Sequence, residues 1–287
     1  MYKRQNLNTV EIPFLVDSNT RIRFALKPDA AVLFARDGTY GPWQRIVFVD
    51  AAMATILNTV MTRLADWQRG EDFERFSYFA TLLGHPDDRI HKMVLRELDQ
   101  ADYSILRRLD LKVDADRLLA RLNDPFEANY KAIRILLLGL SGDALQQDIL
   151  KKGIEQSVSS EGRHLGAFAT ASIELGGAQE VESITSTYLT DRDLSIFARE
   201  LLIEAMSLHV HSAEQTVQTA VSDAIESALW FDASLGGPVA RQFGARGNWS
   251  FAPALQALLE EGKLYSVSER QDVVQYLAIA ENRGAKP

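Results

Sequence analysis

Cysteine is absent from the 287 residues, which excludes a disulfide framework, a thiolate nucleophile, iron–sulfur ligation and cysteine-bound zinc. An excess of basic residues is absent too. Lys and Arg total 31 against 39 Asp and Glu, a formal charge of -8 at pH 7, whereas a general nucleic-acid binder needs a basic surface. No uninterrupted apolar run reaches the ~18 residues of a membrane span. The opening residues lack the charged-then-apolar pattern of a secretory signal. What remains is ordinary globular material, 46% hydrophobic and 24% charged, enough for a sizeable core in one large domain or two modest ones.

Met1-Tyr2-Lys3-Arg4-Gln5 reads as the translation of a transposase-adapter end, GTG TAT AAG AGA CAG, abutting a segment that starts in mid-pattern. The alternative is a genuine short basic start. The adapter reading carries an expectation: an upstream portion with a signal peptide and further strands is lost, so the protein is periplasmic or secreted. Otherwise it is cytoplasmic.

The hydrophobic period changes once along the chain. Residues 6 to 49 have β-branched, period-2 character in Val10–Val16, Arg21–Leu26, Ala31–Ala35 and Ile46–Val49. These predict four short antiparallel strands in a partial, truncated β domain. From Asp50 to about Asn282 the spacing is helical, with stripes at Ile56, Val60, Leu64, then Phe73, Phe76, Phe79, Leu82, Leu83, then Ile90, Met93, Val94, Leu98. Further helices are expected at about 114–123, 126–140, 143–157, 163–175, 178–189, 193–208, 214–230, 250–261 and 268–281. Their core positions include Ile90, Val94, Leu98, Ile133, Leu137, Leu201 and Ala205.

Junctions in the helical region recur. Gly84-His85-Pro86-Asp87-Asp88, Asn123-Asp124-Pro125 and Thr190-Asp191-Arg192 each precede a helix, and His85 lies 39 residues before Asp124. A period near 40 with two helices per unit resembles the HEAT family. Basic candidates one or two turns into the second helix are Arg89, Arg96, Lys131, Arg134 and Arg199. The resemblance covers about residues 70 to 281. It implies a mainly α fold, a HEAT-like α-α superhelix over residues 50–282, because each helix pair leaves an apolar face for the next to cover. The order of a small β region followed by repeats is also similar to exported bacterial HEAT proteins of unassigned role. Two stretches depart from the pattern: residues 101–123, and Asp232–Trp249 with Gly236-Gly237-Pro238, Gly244 and Gly247, read as a loop between repeats.

Motifs of chemistry are sparse. His209-Val210-His211 has the most ligand-like spacing, but on a helix i and i+2 diverge, so both are read as capping a helix carboxyl end or as plain surface histidines rather than as a metal site. His85, His91 and His164 lack a partner at ligand spacing, and the glycine pairs lack a Gly-Lys-Ser/Thr step. Ser141 and Ser172 lack a nucleophile-elbow context. Asp87-Asp88 and Glu260-Glu261 fit helix ends. The expectation is therefore no catalytic residue, no metal and no cofactor.

Charge is uneven. Residues 177–240 hold ten acids and only Arg192 and Arg199, while residues 51–125 hold 13 acids and 11 bases. The acidic stretch reads either as a solvated face or as a surface for a basic segment of a partner protein. In the second case Glu200 and Glu204 flank a groove, and Trp230, Phe231 and Trp249 are aromatic anchors. The leading functional expectation is a non-enzymatic protein-interaction scaffold. The alternatives are an accessory or lyase-like HEAT protein holding a small molecule or modified chain in its groove, and, less favoured by the charge, a HEAT-like DNA glycosylase.

Overall fold

The structure is a computed structural model and describes residues 16–36, 38, 40–70, 72–160, 162–211 and 214–283. The chain packs as two compact units, Met1–Asp72 and Phe73–Pro287. It is mainly helical, with a small two-stranded antiparallel sheet.

The first unit contains α1 (Ser18–Leu26), β1 (Ala31–Ala35), β2 (Gln44–Val49) and α2 (Ala51–Trp67). The expected strand over Arg21–Leu26 is a helix. Asp17 starts it by accepting a 2.7 Å hydrogen bond from the Thr20 amide, and of the alternating set that suggested a strand only Phe24 is half-buried, against Phe48, while Ile22 and Leu26 are exposed. The expected strand at Val10–Val16 lies, up to Leu15, outside the described residues. The other two strands pair with Ala31 opposite Val49 and a bulge between Leu33 and Phe34. Asp50 caps α2 through the Met53 amide. The buried stripe of α2 is Met53, Ile56 and Trp67, whereas Leu64 faces out.

The second unit continues with α3 (Asp72–Thr81), α4 (Asp88–Leu98), the short α5 (Tyr103–Leu106) and α6 (Ala115–Ala120), then α7 (Lys131–Leu140), α8 (Gln147–Ser159) and α9 (Leu165–Ile184). It ends with α10 (Ile196–Ser207), α11 (Gln215–Phe231), α12 (Gly236–Ala245), α13 (Ala252–Glu260) and α14 (Val267–Asn282). Several helices open on one device, an Asp or Asn that accepts from the amide two residues on: Asp87, Asp124, Asp143 and Asp232 do so. This satisfies a donor that the first helical turn leaves orphaned. Helix α9 is split where Gly177 adopts φ 59°, ψ -144°, a conformation that glycine alone adopts without strain.

The packing runs in series. Helix α4 packs on α7, α7 on α9, α9 on α10, α10 on α12 and α12 on α14, while α8 and α11 cover α9 and α13 covers α14. Ile90, Val94, Leu98, Ile133, Leu137 and Ala205 are buried as expected. Leu201 is only half-buried; Leu202 and Ile203 take the core positions, because α10 starts at Ile196 and its inward face is rotated by about one residue.

The glycine-rich stretch read as a loop contains α12. Pro238 falls in the first turn, where a missing amide proton costs nothing. A Cβ on Gly236 would stand 2.9 Å from Leu264 Cδ2, and one on Gly237 3.2 Å from Glu269 Cα. These glycines allow close packing against α14 and its approach loop.

Candidate functional site

Within the helical unit a cavity of about 970 Å³ opens beside α5, the end of the first half of α9, the end of α10 and the end of α12. Its floor is made of buried Tyr103, Ile173, Ser207 and His209. Its rim carries exposed Asp102, Ser104, Arg108, His211, Glu214 and Ala245. Arg246 and Arg107 are half-buried between the two.

The floor is a closed polar lock. Tyr103 Oη donates to Glu174 Oε2 at 2.8 Å, and Arg107 Nε donates to Glu174 Oε1 at 3.1 Å. The His209 ring lies edge-on to Tyr103, 5.7 Å between centroids. His209 Nε2 is 3.2 Å from the Thr170 carbonyl, so that nitrogen carries the proton and donates. Its Nδ1, left bare, is 3.6 Å from the Glu174 carboxylate. Burial, helped by the positive Arg107, lowers the His209 pKa to about 4, so the ring is neutral at pH 7. The helix-capping reading of a cationic His209 is corrected accordingly: the ring turns into the protein and bonds to α9. Burial and the neighbouring Glu174 charge hold the Tyr103 hydroxyl well above the usual tyrosine range. Neither group titrates near neutral pH, where general acid–base work would need it. Among the described residues no three His, Asp or Glu side chains gather as a metal site.

The residues expected to form an acidic recognition face occupy two neighbourhoods. Glu200, on α10, accepts from Arg241 at 2.7 and 3.0 Å and from Gln242 at 3.0 Å. Glu204, one turn on, is 3.6 Å from Arg246. Trp249 is half-buried against Tyr276, with ring centroids 4.9 Å apart. It borders a cleft of about 290 Å³ with Arg241 and Asp272, so Glu200 and Trp249 share the α10–α12–α14 side. Trp230 and Phe231 close α11 elsewhere, exposed by 56% and 42%. Lys263 lies over the Trp230 ring at 5.5 Å and Arg192 over Phe231 at 4.5 Å.

Other acids of that stretch are also occupied. Glu180 is buried and accepts from Ser172, Gln147 and Lys151, and Asp232 pairs with Arg199 at 2.7 Å.

Comparison with known proteins comes out empty. No family model, curated protein or solved structure matches the chain.

Sequence reasoning missed Tyr103, Arg107, Arg108, Glu174 and Arg246 as a group. A signal was available. The irregular stretch 101–123, the glycine-bearing stretch 232–249 and the His209-Val210-His211 motif each contribute to this one cavity. Local departures from a regular pattern tend to collect at functional sites.

Proposed function

We propose that the chain is a non-enzymatic binding scaffold, a HEAT-like α-solenoid that receives a segment of a partner protein in the groove lined by Tyr103, Arg108, His209 and Arg246. The observation that carries this reading is the convergence of three irregularities on one cavity, in an otherwise serial array of helices. Two features support the repeat architecture: the series α4, α7, α9, α10, α12, α14, and ion pairs between successive units at separations of 33 residues for Arg199–Asp232, 41 for Glu200–Arg241 and 31 for Arg241–Asp272. In a stacked array each unit's open face is closed by the next.

Binding rather than catalysis is favoured because Tyr103, Arg107 and Glu174 satisfy one another and Tyr103 and His209 are held away from neutral titration. In this reading Glu200 and Glu204 contribute mainly to the spacing of α10 and α12, and Trp230 and Phe231, each with a cation over its ring, are partly exposed aromatics that add contact area.

Blocking the groove tests the proposal. Ser104 and Ala245 are exposed on its rim, so Ser104→Trp with Ala245→Trp fills it without entering the core. Protein captured from an extract of the source organism by the wild type should be lost by the double variant, with an unchanged circular dichroism spectrum. Equal recovery by both proteins rejects the groove. A second reading, a small molecule held in the same place, is favoured by the volume alone, which falls within the roughly 300–1,000 Å³ of ligand sites. It requires a low-molecular-mass fraction of that extract to raise the melting temperature of the wild type and not of the blocked variant.

A further inference from the structure

We propose that the groove takes a carboxylate-bearing peptide segment and that Arg246, assisted by Arg108, is the group that binds its carboxylate; this rests on the groove reading above and adds the chemistry of its occupant. Two arginines five residues apart on and just after α12 make the case by contrast. Arg241 is saturated: Glu200 meets it twice, at 2.7 and 3.0 Å, and Asp272 closes its other side. Those bonds from Glu200, then Asp272, raise its pKa. Arg246 has no such partner. Its Nη1 donates to the Gln242 carbonyl at 2.8 Å and to the Gln242 side-chain oxygen at 3.3 Å, both neutral acceptors. Its carboxylate, Glu204, is 3.6 Å away and only half-buried. Burial outweighs that carboxylate and holds the Arg246 pKa below the ordinary arginine value.

A guanidinium that has given up water without gaining a fork-to-fork carboxylate gains from an incoming one. Arg108 is the second cation at the groove. Its guanidinium lies over the Phe73 ring at 4.7 Å and forms no ion pair among the described residues. The third, Arg107, is already committed to Glu174. The rim acids Asp102 and Glu214 oppose a polyanion, so one or two carboxylates fit and a nucleic acid or phosphate-rich chain does not.

The test uses the full chain and four pools of random octapeptides with a neutral dye, read by fluorescence anisotropy. Three pools have amidated carboxyl ends and contain two Glu, two Lys or no charge; the fourth is uncharged with a free carboxyl end. The Glu pool should bind most tightly. Arg246→Gln should weaken it roughly tenfold and Arg108→Gln roughly threefold, while Glu204→Gln, which removes the competing internal carboxylate, should strengthen it roughly threefold. Preference for the free-end pool with the same dependence on Arg246 supports the proposal and assigns the carboxylate to a chain terminus. Preference for the Lys pool, or an affinity unmoved by Arg246→Gln yet abolished by Ala245→Trp, overturns the carboxylate proposal and leaves the groove standing. No binding by any pool, or binding indifferent to Ala245→Trp, overturns both.

Discussion

Two clusters in the helical unit each set arginine against glutamate, and they are finished differently. Between α4 and α7, Glu127 is buried and accepts from Lys92 at 2.8 Å and from the buried Arg134, whose Nη1 also donates to the Arg121 carbonyl at 3.0 Å. Burial alone would raise the Glu127 pKa, but the bonds from Lys92 and Arg134 overcome it and hold the carboxyl below its usual range. At the groove, Glu174 and Arg107 are matched as well, but their neighbours Arg108 and Arg246 are left with incomplete charge compensation. The first cluster turns its charges on one another inside the fold, with Arg134 Nε left without a partner among the described residues. The second keeps part of its charge facing a cavity, where it is open to an incoming group.

The sharpest way to break the comparison is to open the closed cluster. Glu127→Ala leaves Arg134 buried without its counter-charge, and loss of one partner of such a pair costs about 3–5 kcal/mol. Urea unfolding should show that loss, while affinity for the Glu-containing peptides stays unchanged at temperatures where the variant is folded. A loss below about 1 kcal/mol would mean that Glu127 is not a structural lock.

The groove's floor responds to acid. His209 takes up its proton near pH 4 when folded and near 6.5 when free. Between these values the unfolded chain binds more protons than the folded one, so stability is full above about pH 6.5 and falls as the pH drops toward 4. The loss attributable to His209 is on the order of 3 kcal/mol. Glu127 and Asp232, with lowered pKa values, act in the same sense at lower pH, and so does His91, lowered mainly by burial. The informative quantity is therefore the difference between wild type and His209→Gln across pH 7 to 4. Parallel pH profiles would remove His209 from the account.

Gly177 is expected to matter less. It shapes the groove wall through a backbone conformation closed to L side chains, and Gly177→Ala should cost about 2 kcal/mol. Thermal unfolding measures it, and a neutral result would show that α9 can run on unbroken.

Much of this architecture was legible because periodicity reports burial. The stripe Ile90, Val94, Leu98 and the separation of helices near residues 176–177 follow from spacing and from glycine. Misreadings arose where one local signal had two physical meanings. Alternation in Arg21–Leu26 suits a strand, yet a capping Asp17 and a mostly solvated face produce a helix. Gly236-Gly237-Pro238 suits a turn, yet close packing against Leu264 and Glu269 uses the same residues inside α12. The acid count of residues 177–240 describes neighbours in sequence, whereas Lys151, Arg241 and Arg246, which answer Glu180, Glu200 and Glu204, come from other helices. The irregular stretches marked the groove, but its polar floor was not legible for the same reason: Tyr103 and Glu174 meet across 71 residues.

The smallest expected effect separates the two clusters most cleanly. Arg108 is exposed and touches Phe73 through its ring face, so its contribution to folding is limited to an exposed cation–π contact of about 0.5–1 kcal/mol. Arg108→Gln should therefore shift the urea midpoint by no more than that contact allows. The same substitution should still lower affinity for the Glu-containing peptides, since the fold uses that charge only for the Phe73 contact. Arg134→Gln should do the reverse, cutting stability and leaving affinity alone, because its guanidinium is buried beside Glu127 and away from the cavity lining. Measuring stability and affinity for both variants sorts them: if Arg108→Gln destabilised the chain as much as Arg134→Gln, both arginines would be parts of the fold, and the distinction between a closed and an open cluster would collapse.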